Sequence, residues 1–503
     1  MLSEVLSASF IGVEGYLLKV EVDISNGLPS FNIVGLGDTA IVESKERVKA
    51  GIKNSGYNVS PKKIVVNLSP AHIKKEGSSY DLPIAVGILA CNGLVQREKL
   101  EEYVILGELS LSGEINPVRG IINGVITARE NNIKGVIIPY DNHVEASMIK
   151  GVELIPVKKL QDVIDFLNLD KVLENPLKDV EVNLREEIYN LDFSEVKGQA
   201  QAKRAMEIVA AGGHNLFMVG SPGAGKSMLA KRLFTIMPDM LEEEIIECTK
   251  LYSIAGLLNE KMPLVRKRPF RSPHHTSSNI SLIGGGRSPK PGEISLAHNG
   301  VLFLDEMAEF SKQILDTLRQ PLEDKEVSIN RAVYRVKFPS NFILIGASNP
   351  CACGYYGQET INHICKCSER DVQKYINKIS GPILDRMDLY IDIKRLSEEE
   401  LLDYSKGESS KEIKKRVEKA RSIQKERFNS PKTNSNMTNE EIEKYCKLEE
   451  AEKELLKKAS KNLGLSARSF DKVLKVARTI ADLEGEEKLG RSHLLEAINY
   501  RKK

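Results

Sequence analysis

No sign of charge dominates this chain. Lys and Arg total 72 against 70 Asp and Glu, a net charge of +2, so the overall balance argues for no particular charged partner. Any nucleic-acid surface would have to be local. Long apolar runs are missing too: nothing approaches the ~18–20 residues that cross a bilayer, and no membrane partner is expected. The opening MLSEVLSASFIGVEGYLLKVEVD has neither a basic start nor an uninterrupted apolar core, which argues against a secretion signal. Seven cysteines in 503 residues are too few for a disulfide scaffold. Four of them cluster, which points to metal in a reducing compartment, and the protein reads as cytoplasmic. No repeat at solenoid periods is visible.

What remains is enough sequence for about three domains. Residues 1–168 alternate β-rich and helical runs, with strands expected near 17–22, 64–68, 104–106 and 135–138 and helices near 82–91 and 121–131. The charged, weakly patterned stretch 169–192 reads as a linker. A second α/β unit follows over 193–395. Residues 396–503 are charged and helical, interrupted by the polar, turn-prone segment 429–438.

Gly220-Ser221-Pro222-Gly223-Ala224-Gly225-Lys226-Ser227 matches the phosphate-binding pattern G-x-x-x-x-G-K-[ST]. Its glycines let backbone N–H groups crowd round phosphates, Lys226 neutralises the β/γ charge, and the Ser227 hydroxyl ligates Mg²⁺. The apolar run 214–219 reads as a buried strand before it, and 228–236 as a helix whose N-terminus faces the phosphates. Without that context the plainer reading would be a glycine-rich turn with a surface lysine.

Val301-Leu302-Phe303-Leu304 is a short apolar strand ending on Asp305 and Glu306, at the carboxyl end where open α/β sheets bind ligands. Asp305 would hold Mg²⁺ or its water, and Glu306 would polarise the attacking water. Alone, the pair reads equally well as a solvated strand end. The next strand ends on Asn349 before Pro350. That amide can bond the γ-phosphate or place the water, or simply form the turn before proline.

Together these elements resemble an AAA+ ATPase. Gly381-Pro-Ile-Leu-Asp-Arg386-Met-Asp-Leu is similar to the arginine-finger segment of the magnesium-chelatase and minichromosome-maintenance branch. The resemblance implies that Arg386 reaches a neighbouring subunit's ATP and stabilises transition-state charge. Leu463-Gly-Leu-Ser-Ala-Arg468-Ser resembles the start of the sensor-2 helix, whose arginine senses the γ-phosphate from the lid. A finger acting in trans implies a ring, expected to be a hexamer.

Longer words narrow the resemblance: Phe270-Arg-Ser-Pro-His-His-Thr276, Gly284-Gly-Gly followed by Pro291-Gly-Glu-Ile-Ser-Leu-Ala-His298, Leu318-Arg-Gln-Pro-Leu-Glu323 and Val476-Ala-Arg-Thr-Ile-Ala-Asp-Leu483. They are similar to the ComM/YifB family of magnesium-chelatase-like AAA+ ATPases, over nearly the whole chain. That resemblance implies a hexameric ATP-driven motor that promotes branch migration of DNA during transformation. In minichromosome-maintenance helicases the hairpin matching Glu326-Val-Ser-Ile-Asn-Arg331-Ala-Val-Tyr-Arg-Val336 puts a basic residue into the ring pore, and Arg331 falls at that position. A solvated arginine on a structural hairpin is the bland alternative. The basic run 265–271 is a second DNA candidate or an ordinary solvated face. A chelatase-type protein remodeller is the competing function.

Cys351-Ala-Cys353 and Cys365-Lys-Cys367 form two C-x-C pairs separated by eleven residues, with His363 just before the second. Structural zinc takes four thiolate or imidazole ligands in a tetrahedron, often from two close pairs, although C-x₂-C is the commoner spacing. The four cysteines are the expected zinc ligands, with His363 a possible substitute. Residues 72–140 resemble the proteolytic domain of Lon, of ribosomal-S5-domain-2 type. The resemblance places Ser79 at the nucleophile and Ile122 at the general-base lysine. A serine without a base is a poor nucleophile, so an ATP-dependent protease is the least favoured reading. The expected architecture is α/β: this Lon-like domain over 1–168, an AAA+ P-loop core over 193–395 with a cysteine-rich insertion at 351–367, and a C-terminal helical lid over 396–503.

Overall fold

A computed structural model describes residues 1–59, 61–71, 73, 75–169, 171, 191–259, 261–286, 289–330, 335–358, 364–402 and 407–501. All but the ends of the expected linker, together with Arg331 and His363, lie outside the described residues. No described helix is long and apolar enough to cross a membrane.

The N-terminal part is built on a mixed four-stranded sheet in the order Leu2–Ile11, Glu14–Ser25, Lys63–Ser69, Ser30–Val34. Alternation buries Leu18, Val20, Val22 and Ile24 on one face of the second strand. Against that face packs helix Asp81–Cys91, apolar all round and buried at every position. Gly87 permits the approach, because a β-carbon there would lie 2.6 Å from Val22 Cγ2. A three-stranded parallel sheet, Tyr103–Ile105, Gly135–Pro139 and Glu153–Val157, completes the unit. Helix Ile121–Glu130 supplies the crossover that its first parallel pair requires.

The second unit is a five-stranded, wholly parallel sheet in the order Phe270–Arg271, Val301–Leu304, Ile343–Ser348, Leu216–Gly220, Leu389–Ile393. Val301–Leu304 and Ile343–Ser348 are buried on both faces, which is why they read as unbroken apolar runs. Helices Ser410–Phe428 and Ala467–Glu484 of the C-terminal region pack on helix Ala200–Gly212, and Ser410–Phe428 also packs on Lys226–Ile236. Leu229 and Leu233 share one core with Val417, Val473 and Ile480, so the helical region is continuous with the nucleotide-binding core.

The two α/β parts also meet. The Gly120 amide donates to Ser253 Oγ, and Ser253 Oγ donates to Glu145 Oε2 at 2.7 Å, joining the Lon-like part to helix Glu242–Ala255. At Gly12 the turn between the first two strands rests on Val336, in the antiparallel hairpin of Glu326–Asn330 and Arg335–Pro339.

Candidate active site

The phosphate loop leaves the carboxyl end of Leu216–Gly220 and turns into helix Lys226–Ile236. Gly223 and Gly225 take left-handed backbone (φ 79° and 94°), which a side chain would oppose. Buried Lys226 donates from Nζ to the carbonyls of Gly220 (2.6 Å) and Ser221 (3.1 Å) and to Asn349 Oδ1 (3.1 Å). Its burial lowers the ammonium pKa, opposed by the charges of Asp305 and Glu306. Ser227 Oγ donates to Asp305 Oδ2 at 2.6 Å, and Asp305 Oδ1 accepts the Glu306 amide at 3.0 Å. A cleft of about 370 Å³ is lined by residues 222–228, Asp305, Glu306, Ser348 and Asn349. The structure thus brings together the loop, the acid pair and Asn349.

Sequence reasoning missed two sets of residues here. His275 lies with Nδ1 3.5 Å from Glu306 Oε2, and Glu306 holds left-handed backbone (φ 49°). Nothing in the spacing links a histidine after the edge strand to an acid on its neighbour; only the sheet order does. The other set grips the start of the loop. Gln358 Oε1 accepts the Ser221 amide at 2.9 Å, while Arg395 donates to Ser221 Oγ at 3.1 Å and to the Pro222 carbonyl at 3.0 Å. These residues belong to the cysteine-rich segment and to the chain beyond the last strand, and carry no motif of their own.

Arg386 and Arg468 are not part of this cleft. Strand pairing sets Gly220 opposite Ile393 but Leu216 opposite Leu389, so Arg386, which precedes Leu389, lies off the amino ends of the strands. Its carbonyl accepts from Asn215 Nδ2 at 3.1 Å, at that same end. The sheet alone separates the two ends by ~13 Å at ~3.3 Å per residue. Arg386 pairs with Glu323. Burial, then the charges of Arg468 and Arg319, depress its pKa, so all three guanidinium groups share one neighbourhood. Arg468 is exposed at the start of helix Ala467–Glu484, whose Ser469 bonds to Arg501, which in turn donates to the Met387 and Asp388 carbonyls. Sensing of its own chain's γ-phosphate by Arg468 therefore does not follow from this geometry.

Cys351, Cys353, Cys365 and Cys367 converge, with all four sulfurs within 4.8 Å of one another. Separations of 3.3, 3.8 and 3.5 Å for the pairs 351–353, 351–365 and 353–365 are far longer than a ~2.05 Å disulfide. They lie at or within about 0.5 Å below the ~3.8 Å edge of a tetrahedron with ~2.3 Å zinc–sulfur bonds, so the donor set fits zinc. The basic run 265–271 is less available than its composition suggests. Arg268 pairs with Glu244 and donates to the Pro238 and Asn299 carbonyls, and Arg271 forms a two-pronged pair with Glu293. In the Lon-like part, Ser79 lines a 570 Å³ cavity, but Ile122 is fully buried and supplies no base.

Family models match most of the chain: "Magnesium chelatase, subunit ChlI" over residues 192–401, "Subunit ChlI of Mg-chelatase" over 20–142 and the ChlI C-terminal model over 407–501. Competence protein ComM of Haemophilus influenzae is 41% identical, covering 99% of this chain and 97% of its own length. The chain belongs to the ComM/YifB family of magnesium-chelatase-like AAA+ ATPases. Escherichia coli YifB, whose name carries no function, is 42% identical over 99% of this chain and 97% of its own. Lon protease 2 of Bacillus subtilis is 29% identical over 32% of this chain and 31% of its own, in keeping with the Lon-like part. As a ComM/YifB-family ATPase the chain uses ATP with Mg²⁺, and Ser227 and Asp305 form an oxygen pair suited to that hard cation.

Proposed function

We propose that this chain works as a ring, a hexamer, in which ATP held by one subunit's phosphate loop is hydrolysed with the help of Arg386 and Arg468 of the next, and that the ring drives a helicase-like or branch-migrating motor on DNA in recombination or transformation. The observation that carries this reading is the division of the site. The loop, Asp305, Glu306 and Asn349 share the carboxyl end of the sheet, while the arginines cluster beyond its amino end. Within one chain the arginines and the phosphate loop stand at opposite ends of that sheet. A neighbour in a head-to-tail ring can bring its arginines to the loop.

In this reading Lys226 and the loop amides hold the phosphates, and Ser227 and Asp305 hold Mg²⁺, which neutralises phosphate charge when bound. Glu306 takes a proton from the attacking water and Asn349 orients the γ-phosphate or that water. The arginines then meet the negative charge that grows as the terminal phosphate leaves. Zinc bound by the four cysteines is a structural element of the same half-site.

The DNA reading draws on two observations. The antiparallel hairpin of Glu326–Asn330 and Arg335–Pro339 stands in the chain between the helices after Glu306 and strand Ile343–Ser348, which leads to Asn349, so it is joined to the cleft on both sides; Arg331 would be its phosphate contact. The name of the Haemophilus relative, a competence protein, supports DNA as the track. The test is the ATPase rate with no DNA, single-stranded DNA, duplex and a four-way junction. Stimulation of several-fold, strongest with single-stranded or branched DNA, is expected. An unchanged rate with all four would reject the motor and favour a protein remodeller.

A further inference from the structure

The cysteine-rich segment sits against the phosphate loop. Cys351 is buried two residues after Asn349, and from there the chain crosses the back of the loop. Gly354, at φ 89°, lies so close to Pro222 that a β-carbon would approach its Cδ to 2.7 Å. The Tyr355 ring carries the Arg395 guanidinium at 5.3 Å, and that guanidinium bonds Ser221 Oγ and the Pro222 carbonyl. Gln358 then spans two elements. Its Oε1 accepts the Ser221 amide at 2.9 Å, and its Nε2 donates to the Ile393 carbonyl at 3.1 Å, at the end of the adjacent strand.

We propose that Gln358 is a positioning residue of the ATP site, and that the metal held by the four cysteines sets nucleotide affinity through it. The loop binds phosphate with backbone amides, whose directions depend on where the loop begins. Ser221 and Pro222 are that beginning: Gly354, Arg395 and Gln358 Oε1 restrain one or the other directly, while Tyr355 and the Ile393 carbonyl hold Arg395 and Gln358 in place. Gln358 itself lies five residues beyond Cys353 on a stretch that turns at Gly354 and Gly357, and its backbone bonds, Gly354 N–H to the Cys351 carbonyl and Gln358 N–H to the Tyr355 carbonyl, each close a single turn. A tetrahedral metal fixes that stretch at the cysteines, because the free energy of ligation goes into ordering the segment that supplies the ligands. Without it, ordering Gln358 would rest on those single turns, the Gly354 and Tyr355 contacts and the side-chain amide's two hydrogen bonds, against the conformational entropy of the loop. The device acts on binding, since the Gln358 side chain bonds the Ser221 amide and the Ile393 carbonyl and not the acid pair.

This inference rests on the ATP and zinc readings above, and one experiment separates their failures. Metal content and equilibrium affinity for a fluorescent ATP analogue are measured without DNA on four samples: full-length wild type as purified and after chelation with dialysis, and Gln358→Ala in the same two states. Lys226→Ala serves as the non-binding reference. Wild type should carry one zinc per chain and lose affinity on chelation. Gln358→Ala should keep its zinc, bind roughly three- to tenfold more weakly, as expected for one net hydrogen bond, and lose little more on chelation. In steady state its KM for ATP should rise with kcat nearly unchanged, which general loosening of the fold would not produce. Re-adding zinc should restore wild type but not the variant. Wild-type affinity in Gln358→Ala, or an equal chelation effect in both proteins, overturns the inference while leaving ATP binding intact. A wild type without metal overturns the zinc reading and the inference with it. A wild type that binds no better than Lys226→Ala overturns the reading of the loop itself.

Discussion

In the proposed mechanism Lys226 and Glu306 divide the work of the cleft in a way two substitutions can separate. Lys226 Nζ rests on two carbonyls and the Asn349 amide oxygen, neutral partners that a polyphosphate outcompetes by charge. Lys226→Ala removes the cation from a buried position and should abolish measurable ATP binding in an equilibrium titration. Glu306 is the more exposed of the pair's roles: its carboxylate is 55% accessible and its neighbour is His275 rather than the loop. Glu306→Gln keeps the shape and loses the proposed base. Nucleotide affinity should stay within about twofold, while single-turnover hydrolysis falls by ~10²–10⁴-fold, the usual worth of a general base. Unaltered hydrolysis in either variant would remove these residues from the mechanism. The residues of the loop and acid pair were legible because each belongs to a pattern whose chemistry dictates its spacing. His275 and Gln358 were not, since each reaches the site from an element far away in sequence, and only the strand order brings them near.

Between elements, the joint linking the Lon-like part to the AAA+ core carries a titratable group. Glu145 is buried at the interface and accepts from Asn142 Nδ2 (2.6 Å) and Ser253 Oγ (2.7 Å), with no ion-pair partner among the described residues. Desolvation pushes its pKa up to about 7, against the two hydrogen bonds. A raised carboxyl pKa makes the joint strongest where the folded form is protonated, and that stability is lost as pH rises from the unfolded value near 4.5 through about 7. Melting followed by the domain's own tryptic release should therefore show a joint weaker at pH 8 than at pH 6. Glu145→Gln should flatten that dependence and gain on the order of 1–3 kcal/mol at pH 8. A wild type whose joint is equally firm at both values would dismiss the carboxyl as a determinant. The strands near 17–22 and 64–68 were legible from alternation, but the first strand, Leu2–Ile11, was not. Its buried face carries Ser3, Ser7 and Ser9, which break the apolar pattern; Ser3 and Ser7 satisfy their hydroxyls on the Gly87 and Ile105 carbonyls, and Ser9 accepts the Tyr80 hydroxyl. Helix Thr39–Asn54 was obscured in the same way, with Ser44 buried beneath Arg47 and Asp81.

At the scale of the whole molecule, the separation of Arg386 from the loop of its own chain makes a quantitative demand on assembly. In the proposed ring each active site would take an intact loop from one subunit and an intact arginine from its neighbour, so the two defects Lys226→Ala and Arg386→Ala would damage opposite faces. Either homogeneous ring should be inactive, Arg386→Ala with nucleotide affinity retained and kcat reduced ~10³-fold or more, the scale of an arginine finger. Mixed at equal amounts and allowed to exchange, the subunits regenerate sound interfaces wherever an Arg386→Ala subunit offers its loop to a Lys226→Ala neighbour. Random assembly in a head-to-tail ring makes about a quarter of interfaces sound. ATPase should therefore rise from baseline to about a quarter of wild type if interfaces fire independently, and to less if the ring requires consecutive sites. The ratio dependence distinguishes these, because independent sites follow the product of the two mole fractions while a concerted ring falls below it at every composition. Retained arginine-variant activity before mixing, or no recovery at any ratio in rings verified to contain both subunits, would place the catalytic arginine elsewhere. The Glu323 pair offers a further discriminating arm. Glu323→Gln frees Arg386 from its carboxylate without touching the loop, and the mixed-ring rate should then hold or rise, whereas an arginine that serves only the fold would lose stability with its partner and show it in the melting curve.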